Sequence, residues 1–163
     1  MIARRRSSLS IPLISFMVAS AVYAPAFAQD GQVRLSPPEI ESLSRGGAGA
    51  GTSGVPGIQT TTLFGDPIRP GPYAIEIRVP PHTRIAAHTH RDHRSAVVIS
   101  GTWYFGYGEI AGDSGVEALP PGSFYTEPAD DPHFALTRAE SVVVYIFGVG
   151  PTDTVFTATA PAH

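Results

Sequence analysis

The sequence predicts an all-β protein that folds as a sandwich or a barrel. After position 60, short runs of alternating apolar and polar residues recur, and helical periodicity is almost absent. Turns that contain glycine or proline, such as Ser100-Gly101 and Pro120-Pro121-Gly122, separate these runs. Short strands at this spacing are typical of β-sandwiches and β-barrels. A length of 163 residues fits one domain of this kind.

Residues 1–28 are predicted to be a secretory signal peptide that is cleaved after Ala28. Arginines at positions 4–6 precede an apolar run at 9–23, and positions 26–28 form a small-x-small cleavage site. A transmembrane anchor is the alternative, but proline and serine interrupt a run already shorter than the ~20 apolar residues that a span needs. We therefore expect a periplasmic or secreted protein.

Residues 29–59 are predicted to form an N-terminal arm with one short helix at 35–43. Ser36 can cap this helix, Pro37 stands where a missing N–H costs nothing, and Glu39 lies in the first turn. The segment 46–57 that follows is rich in Gly, Ser and Thr. This composition favours a mobile linker, and an arm pinned against another surface is the alternative.

Residues 60–163 are predicted to form the β-domain. The segment 73–79 alternates between apolar residues at odd positions and Ala, Glu and Arg at even ones, which is the pattern of a half-buried strand. Further strands are expected at 96–99, 102–107, 142–149 and 154–159. The run 142–147 is apolar on both faces and needs cover on each side, so we expect a homodimer.

The composition excludes several partners and chemistries. Without the predicted signal peptide, eight arginines stand against 14 acidic residues, which gives a net charge of −6, and the chain has no lysine. An acidic chain without a basic run argues against nucleic acid and against anionic membranes as partners. Cysteine is absent, so disulfides and thiolate ligands are excluded. Histidine and carboxylate must carry any metal chemistry.

Two histidine-bearing stretches stand out in the sequence. His88 and His90 are two residues apart in a strand-like context, and alternation along a strand sends such residues to the same face. About forty residues later, a proline- and glycine-bearing stretch at 120–134 contains His133. Because His88 and His90 lie on the same face of the chain, these two histidines can bind one metal ion together.

The two stretches resemble the paired motifs of the cupin superfamily, whose members are small double-stranded β-helix, or jelly-roll, barrels. The first motif contains His-x-His, then a glutamate, then a closing glycine, and it is matched by His88, His90 and Gly101. The second contains glycine, five residues, Pro-x-Gly, two residues and histidine, and it is matched by Gly122, Pro128 and His133. The resemblance covers roughly 71–148. It implies a jelly-roll fold and one divalent metal ion held by His88, His90 and His133.

The chain departs from the cupin pattern at several positions. Arg94 stands where the first motif has its acidic ligand, and a guanidinium has only donors, so it cannot bind a cation. Asp92 has the same parity as the two histidines but lies in a turn-prone segment, whereas His93 is expected to face outward. In the second motif, Asp130 replaces the glycine and Thr137 replaces the usual asparagine.

Arg94 and Glu127 are the candidate catalytic residues. If the strand is unbroken, Arg94 points the same way as His88 and His90, and it would then form an anion pocket beside the metal. The alternative is that Arg94 pairs with Asp92, Glu76 or Glu127 and only holds the strand. Glu127, next to the second motif's proline, is the candidate general base, and a surface or capping carboxylate is the alternative.

Three neutral imidazoles leave a divalent ion with open positions, but they do not decide between iron, zinc, copper, nickel and manganese. The function that we expect is a secreted, metal-dependent enzyme acting on a small oxygenated or anionic organic molecule. The resemblance suggests a non-haem dioxygenase, because iron-binding cupins with three histidines include dioxygenases. One alternative is a redox-neutral isomerase or lyase that uses zinc or nickel. Another is a periplasmic ligand-binding or sensor protein without catalysis.

Overall fold

The computed structural model describes residues 31–47, 49 and 51–157, and the predicted signal peptide and the final residues lie outside them. One short helix precedes ten strands in this part of the chain. The elements are α1 (Pro37–Ser42), β1 (Gln59–Phe64), β2 (Gly71–Val79), β3 (Arg84–Thr89), β4 (Arg94–Ser100), β5 (Trp103–Tyr107), β6 (Glu117–Leu119), β7 (Phe124–Glu127), β8 (His133–Leu136), β9 (Val142–Gly150) and β10 (Val155–Phe156).

The strands form two antiparallel five-stranded sheets. The first sheet has the order β1-β2-β9-β4-β7, and the second has the order β10-β3-β8-β5-β6. Strands that follow one another along the chain often lie in opposite sheets, as β3 and β4 do. This is the jelly-roll arrangement, so the predicted all-β fold class is confirmed.

The core lies between the two sheets and follows the alternation read from the sequence. Ile75 and Ile77 of β2 are buried, and Ile75 pairs with Ile146 of β9 in the centre of the first sheet. Trp103 and Phe105 of β5 cover them from the second sheet and belong to the same cluster. Burying each such side chain stabilises the fold by roughly 1.5–3 kcal/mol.

The outer face of β9 carries the residues on which the homodimer prediction rests. Phe147 is 41% exposed and Val149 is 63% exposed, whereas the inward residues Val142, Val144 and Ile146 are buried. Among the described residues, this leaves apolar side chains on the outside of the first sheet. The homodimer stays a prediction.

The N-terminal arm lies against the barrel. The helix α1 agrees with the predicted one, and the Glu39 carboxylate accepts bonds from the amide and the hydroxyl of Ser36. Residues 51–53, which we predicted to be a mobile linker, are instead buried. The Thr154 hydroxyl donates to the Thr52 carbonyl over 2.6 Å. The alternative, a pinned arm, is therefore correct for this segment, because its backbone finds partners on the barrel.

The described residues contain no helix that is both long and apolar enough to span a membrane.

Gly101, the glycine that closes the first motif, is required by its backbone and by its surroundings. Its φ is +72°, and an added Cβ would collide with the Ser141 carbonyl oxygen. We expect Gly101→Ala to lower the free energy of unfolding by more than the ~1–2 kcal/mol of the left-handed backbone alone. Gly122→Ala is the control, since φ is +87° there but no atom lies within 4 Å of an added Cβ. Equal losses in urea unfolding would contradict the contact with Ser141.

Candidate metal centre

The three predicted histidines come together inside the barrel. His88 on β3 lies directly opposite His133 on β8, and His90 follows β3 at the start of the turn toward β4. All three are buried, and one ring nitrogen from each lies within 4.8 Å of the others. Because β3 and β8 are neighbours in the second sheet, the two motifs meet across a single strand pair.

A backbone carbonyl holds each of the three imidazole rings. The Nδ1 atom of His88 lies 2.7 Å from the Ala86 oxygen, and that of His133 lies 3.2 Å from the Asp131 oxygen. The Nδ1 of His90 contacts the Asp153 oxygen. A carbonyl can only accept, so each Nδ1 carries the proton and each Nε2 is unprotonated, with a lone pair that can accept a hydrogen bond or bind an ion. Histidines that bind a metal ion usually donate their other ring N–H to a carbonyl or carboxylate in this way.

The loop before His133 is shaped by a departure from the cupin pattern. Asp130, which replaces the motif's glycine, has a φ of +63°. Aspartate tolerates this left-handed conformation better than most residues. Its amide donates to the His90 carbonyl over 2.8 Å, which ties the loop of the second motif to the end of the first.

Arg94 and Glu127 form a buried ion pair beside the histidines. They lie opposite each other on β4 and β7, and the Nε of Arg94 donates to the Oε2 of Glu127 over 2.5 Å. The Nη1 atom donates to the Gly51 carbonyl over 2.6 Å, and Nη2 lies 2.6 Å from the Nε2 of His90. Of the three carboxylates considered, Glu127 is therefore the partner, and the pair faces the site rather than the surface.

Arg94 faces inward although the strand is not continuous. β3 ends at Thr89, and the turn after His90 carries the chain to the opposite sheet, where β4 begins at Arg94. The inner faces of both sheets line the same interior. Arg94 therefore points inward, as counting by twos from His90 predicted, although β3 and β4 lie in different sheets.

Burial and nearby cations disfavour the charged form of these histidines. Burial and the neighbouring His133 lower the pKa of His88 to about 4. Burial and the Arg94 guanidinium lower the pKa of His90 to about 3, and burial also lowers the pKa of His133. All three imidazoles are neutral at pH 7, which is the form that binds a metal ion.

Glu127 is held as a carboxylate. Burial alone would raise its pKa, but Arg94 and the histidines outweigh burial and lower the pKa to about 2. A general base works best with a pKa near the operating pH, so Glu127 is a weak base in this arrangement. Its charge and position suit a ligand or a counter-ion better.

Two other residues considered from the sequence lie outside the cluster. Asp92 is buried and accepts a bond from the Tyr73 hydroxyl over 2.8 Å. His93 is exposed, as predicted, and accepts a bond from the Ala129 amide over 3.3 Å.

The space next to the cluster is small. A cavity of about 20 Å³ is lined by His88, His133, Arg94, Glu127 and, from the arm, residues 51–53. This is room for about one water molecule or ion. The aromatic rings of Trp103, Phe105 and Tyr125 form its apolar wall. Residues 51–53 of the arm are therefore part of the wall of this cavity.

Sequence reasoning missed the backbone groups that complete the site. The carbonyls of Gly51 and Asp153 come from the arm and from the segment before β10, 43 residues before Arg94 and 63 residues after His90. Every residue has a backbone carbonyl, so the residue type does not show which carbonyl belongs to a site. The only available signal was the Gly-rich composition of the arm, which allows a close approach to the barrel.

The donor atoms fit a divalent metal ion. The Nε2 atom of His133 is buried and has no hydrogen-bond partner. Leaving such an atom without a partner costs about 1–3 kcal/mol, and a metal ion would satisfy it. Imidazole nitrogens and a carboxylate oxygen suit zinc, iron, nickel, copper and manganese.

No protein-family profile and no curated protein matches the chain. Several solved structures share its fold at low sequence identity. The polyketide cyclase RemF from Streptomyces resistomycificus is 18% identical, with a TM-score of 0.58 over 80% of this chain and 90% of that one. An RmlC-like cupin from Shewanella frigidimarina is 15% identical, with a TM-score of 0.52 over 68% and 86%.

The DMSP lyase DddQ from Ruegeria pomeroyi is 17% identical, with a TM-score of 0.53 over 64% of this chain. The chain spans about half the length of the DMSP lyases that it matches, 52% and 54%. These similarities show that the chain has the cupin fold, as its two motifs predicted.

Proposed function

We propose that this chain, which has the cupin fold, is a metal-dependent enzyme that acts on a small oxygenated or anionic organic molecule. His88, His90 and His133 would hold one divalent ion. When bound, such an ion polarises an oxygen atom of the substrate and stabilises negative charge that develops on it. Nothing in the fold itself selects this function, so the proposal rests on the site.

The observation that carries the proposal is the orientation of the three imidazoles. Each ring is buried and has its Nδ1 against a backbone carbonyl, which leaves the three Nε2 atoms unprotonated, and one ring nitrogen from each lies within 4.8 Å of the others. Histidines that only fill a core have no reason to converge in this way. The lowered pKa values of His88 and His90 keep these Nε2 atoms free of protons at neutral pH.

Arg94 supports an anionic substrate. Its guanidinium is buried next to the histidines and carries a fixed positive charge there. A carboxylate, or an enolate formed from a carbonyl compound, would be stabilised by such a charge in a site that excludes water. The carboxylate of Glu127 balances this charge while no substrate is present.

The reaction class that we favour is redox-neutral, namely elimination, isomerisation or cyclisation. Arg94 places a fixed positive charge beside the cavity, which suits the stabilisation of an anion formed from the substrate. Two proteins with this fold carry the names lyase and cyclase, and this is further support. The dioxygenase suggested by the family resemblance is the second candidate, because three imidazoles and a carboxylate also suit iron.

We also propose that the protein is exported and works as a homodimer. The proposal of export rests on residues 1–28, which resemble a signal peptide. The proposal of a dimer rests on the exposed apolar residues Phe147 and Val149 on the outer face of β9.

The test is to express the full chain, purify the exported form and measure its metal content by elemental analysis. We expect about one divalent ion per chain. Turnover is then assayed with a panel of small 2-oxo, 2-hydroxy and β-substituted carboxylic acids, with oxygen uptake followed in parallel. Product without oxygen uptake supports the favoured class, and product with oxygen uptake supports the dioxygenase. A metal-free native protein would contradict the proposal, and metal with tight binding but no turnover would make the protein a ligand-binding cupin.

A further inference from the structure

The acidic residue that is missing from the first motif has a counterpart on the neighbouring strand. Arg94 stands at the motif's acidic position on β4, and its cross-strand partner on β7 is Glu127. Both side chains point into the barrel, and both are nearly fully buried, with side-chain exposures of 3% and 4%. The acidic side chain is therefore on the neighbouring strand, β7, and Arg94 stands at the position where the motif has its glutamate.

The Glu127 carboxylate lies within reach of an ion held by the histidines. Its Oε2 atom is 3.6 Å from the Nε2 of His133 and 3.9 Å from the Nε2 of His90. Two ligand atoms on one tetrahedral zinc ion, each at 2.0–2.2 Å, are about 3.4 Å apart. The carboxylate oxygen thus needs to move by only a few tenths of an ångström to share an ion with both histidines.

The Arg94 guanidinium occupies the position that such an ion needs. Its Nη2 atom lies 2.6 Å from the Nε2 of His90 and also contacts the Oε2 of Glu127. One imidazole lone pair cannot bind an N–H group and a metal ion at the same time. In this structure, the Arg94 guanidinium therefore contacts both the His90 Nε2 and the Glu127 Oε2, which a metal ion would otherwise bind.

We propose that Glu127 is the fourth ligand of the metal ion, and that Arg94 is an internal competitor which the ion displaces from His90 and Glu127. This inference rests on the proposed metal site and extends it to two residues outside the histidine set. Metal affinity in this protein is then set by an exchange of cations. The guanidinium leaves the Nε2 of His90 and the Oε2 of Glu127, and the ion replaces it on both.

The exchange also explains why the pair is buried. Burying an ion pair stabilises a fold little or not at all, because desolvation offsets the attraction between the charges. A carboxylate next to the histidines would nevertheless offset part of the charge of an ion with two positive charges. Arg94 neutralises that carboxylate as long as the ion is absent.

The experiment measures Co²⁺ and Zn²⁺ binding to metal-free protein by calorimetry, together with the visible spectrum of the Co²⁺ form. Three variants are compared with the unchanged chain: Glu127→Gln, Glu127→Asp and Arg94→Met. Glu76→Gln is the matched control, because Glu76 is also buried and bonded to an arginine, Arg78, but faces away from the barrel interior on β2. Thermal unfolding of each variant reports the effect on the fold.

We expect Glu127→Gln to weaken Co²⁺ and Zn²⁺ binding by at least about 10–100-fold, the range seen when a partner of a metal site is removed. The Co²⁺ spectrum should shift as well, which a merely structural role would not cause. Glu127→Asp keeps the negative charge but shortens the side chain and withdraws the oxygen from the histidines, so it should also weaken binding. Arg94→Met should tighten Co²⁺ binding about tenfold or more, since the competitor is gone. Glu76→Gln should leave binding unchanged.

Different results separate this inference from the proposed function. Stoichiometric binding in the unchanged chain, with affinity and spectrum unaltered in both Glu127 variants, would overturn the fourth ligand and leave the three-histidine site intact. Weaker binding in Arg94→Met would overturn the competition. Absence of binding in the unchanged chain would overturn both proposals. If Arg94→Met folds only when Co²⁺ is added, that result supports the exchange, because the ion then supplies the charge that Glu127 lacks.

Discussion

Replacing His133 by alanine is expected to abolish stoichiometric metal binding while the barrel stays folded. His133 supplies the Nε2 atom that is buried and has no other partner, and it lies opposite His88 across the β3–β8 pair. Without it, two imidazoles and one carboxylate remain. Metal affinity should then fall by more than the ~10–100-fold that is typical when a residue hydrogen-bonded to a metal ligand is mutated. Elemental analysis and Zn²⁺ calorimetry on the purified variant measure the loss.

The matched control for this prediction is His93→Ala. His93 is exposed, and its side chain lies outside the cluster of three buried histidines. Both variants remove an imidazole, so a general effect of histidine content would appear in both. Full Zn²⁺ occupancy in His133→Ala, with circular dichroism showing a folded protein, would refute the three-histidine site. His88→Ala is expected to behave like His133→Ala, since the ring of each faces the same space.

The strands and the histidine set could be predicted because their signals are local. Alternation along β2 is visible within seven residues, and its inward residues Tyr73, Ile75, Ile77 and Val79 are all buried. The spacing of His88 and His90 places both on one side of the chain without any knowledge of the fold. The position of His133 needed more, namely the resemblance to a second motif that the fold brings next to the first.

The partners of the site residues could not be predicted because they depend on long-range register. Arg94 meets Glu127 only because β4 and β7 pair with these two residues in register, 33 positions apart. The sequence offered three carboxylates and no means of choosing between them. The arm was misread for a similar reason, because a Gly-rich segment has the same composition whether it is free or, like Thr52 and Ser53, buried against a barrel.

The metal-free protein is expected to lose much of its stability between pH 7 and pH 5. The pKa of His88 is about 4 and that of His90 is about 3 in the folded state, against an ordinary value of 6.5. The unfolded chain therefore binds protons in a range where the folded chain does not. Stability is fully present above about pH 6.5 and falls as the pH drops toward the folded pKa values.

The expected size of this loss is large compared with the stability of a small domain. At pH 5, each of the two histidines lowers the free energy of unfolding by about 2 kcal/mol, since one pKa unit corresponds to about 1.4 kcal/mol. His133 acts in the same direction. Globular domains are stable by only about 5–15 kcal/mol. Glu127, with a pKa of about 2 against an ordinary 4.5, adds a further loss below about pH 4.5.

Urea unfolding of the metal-free protein at pH 8, 7, 6 and 5 measures this dependence. His88→Gln should flatten the curve, because glutamine takes up no proton, whereas the exposed His93→Gln should leave its slope unchanged. The same stability at pH 5 and pH 8 would show that the rings are not buried in neutral form. Zn²⁺ should raise stability at pH 8 and by a similar amount at pH 5, because the folded His88 and His90, with pKa values of about 4 and 3, take up few protons above pH 5 and keep their Nε2 atoms available to the ion. The buried imidazoles thus couple folding, protonation and metal binding through one set of lone pairs.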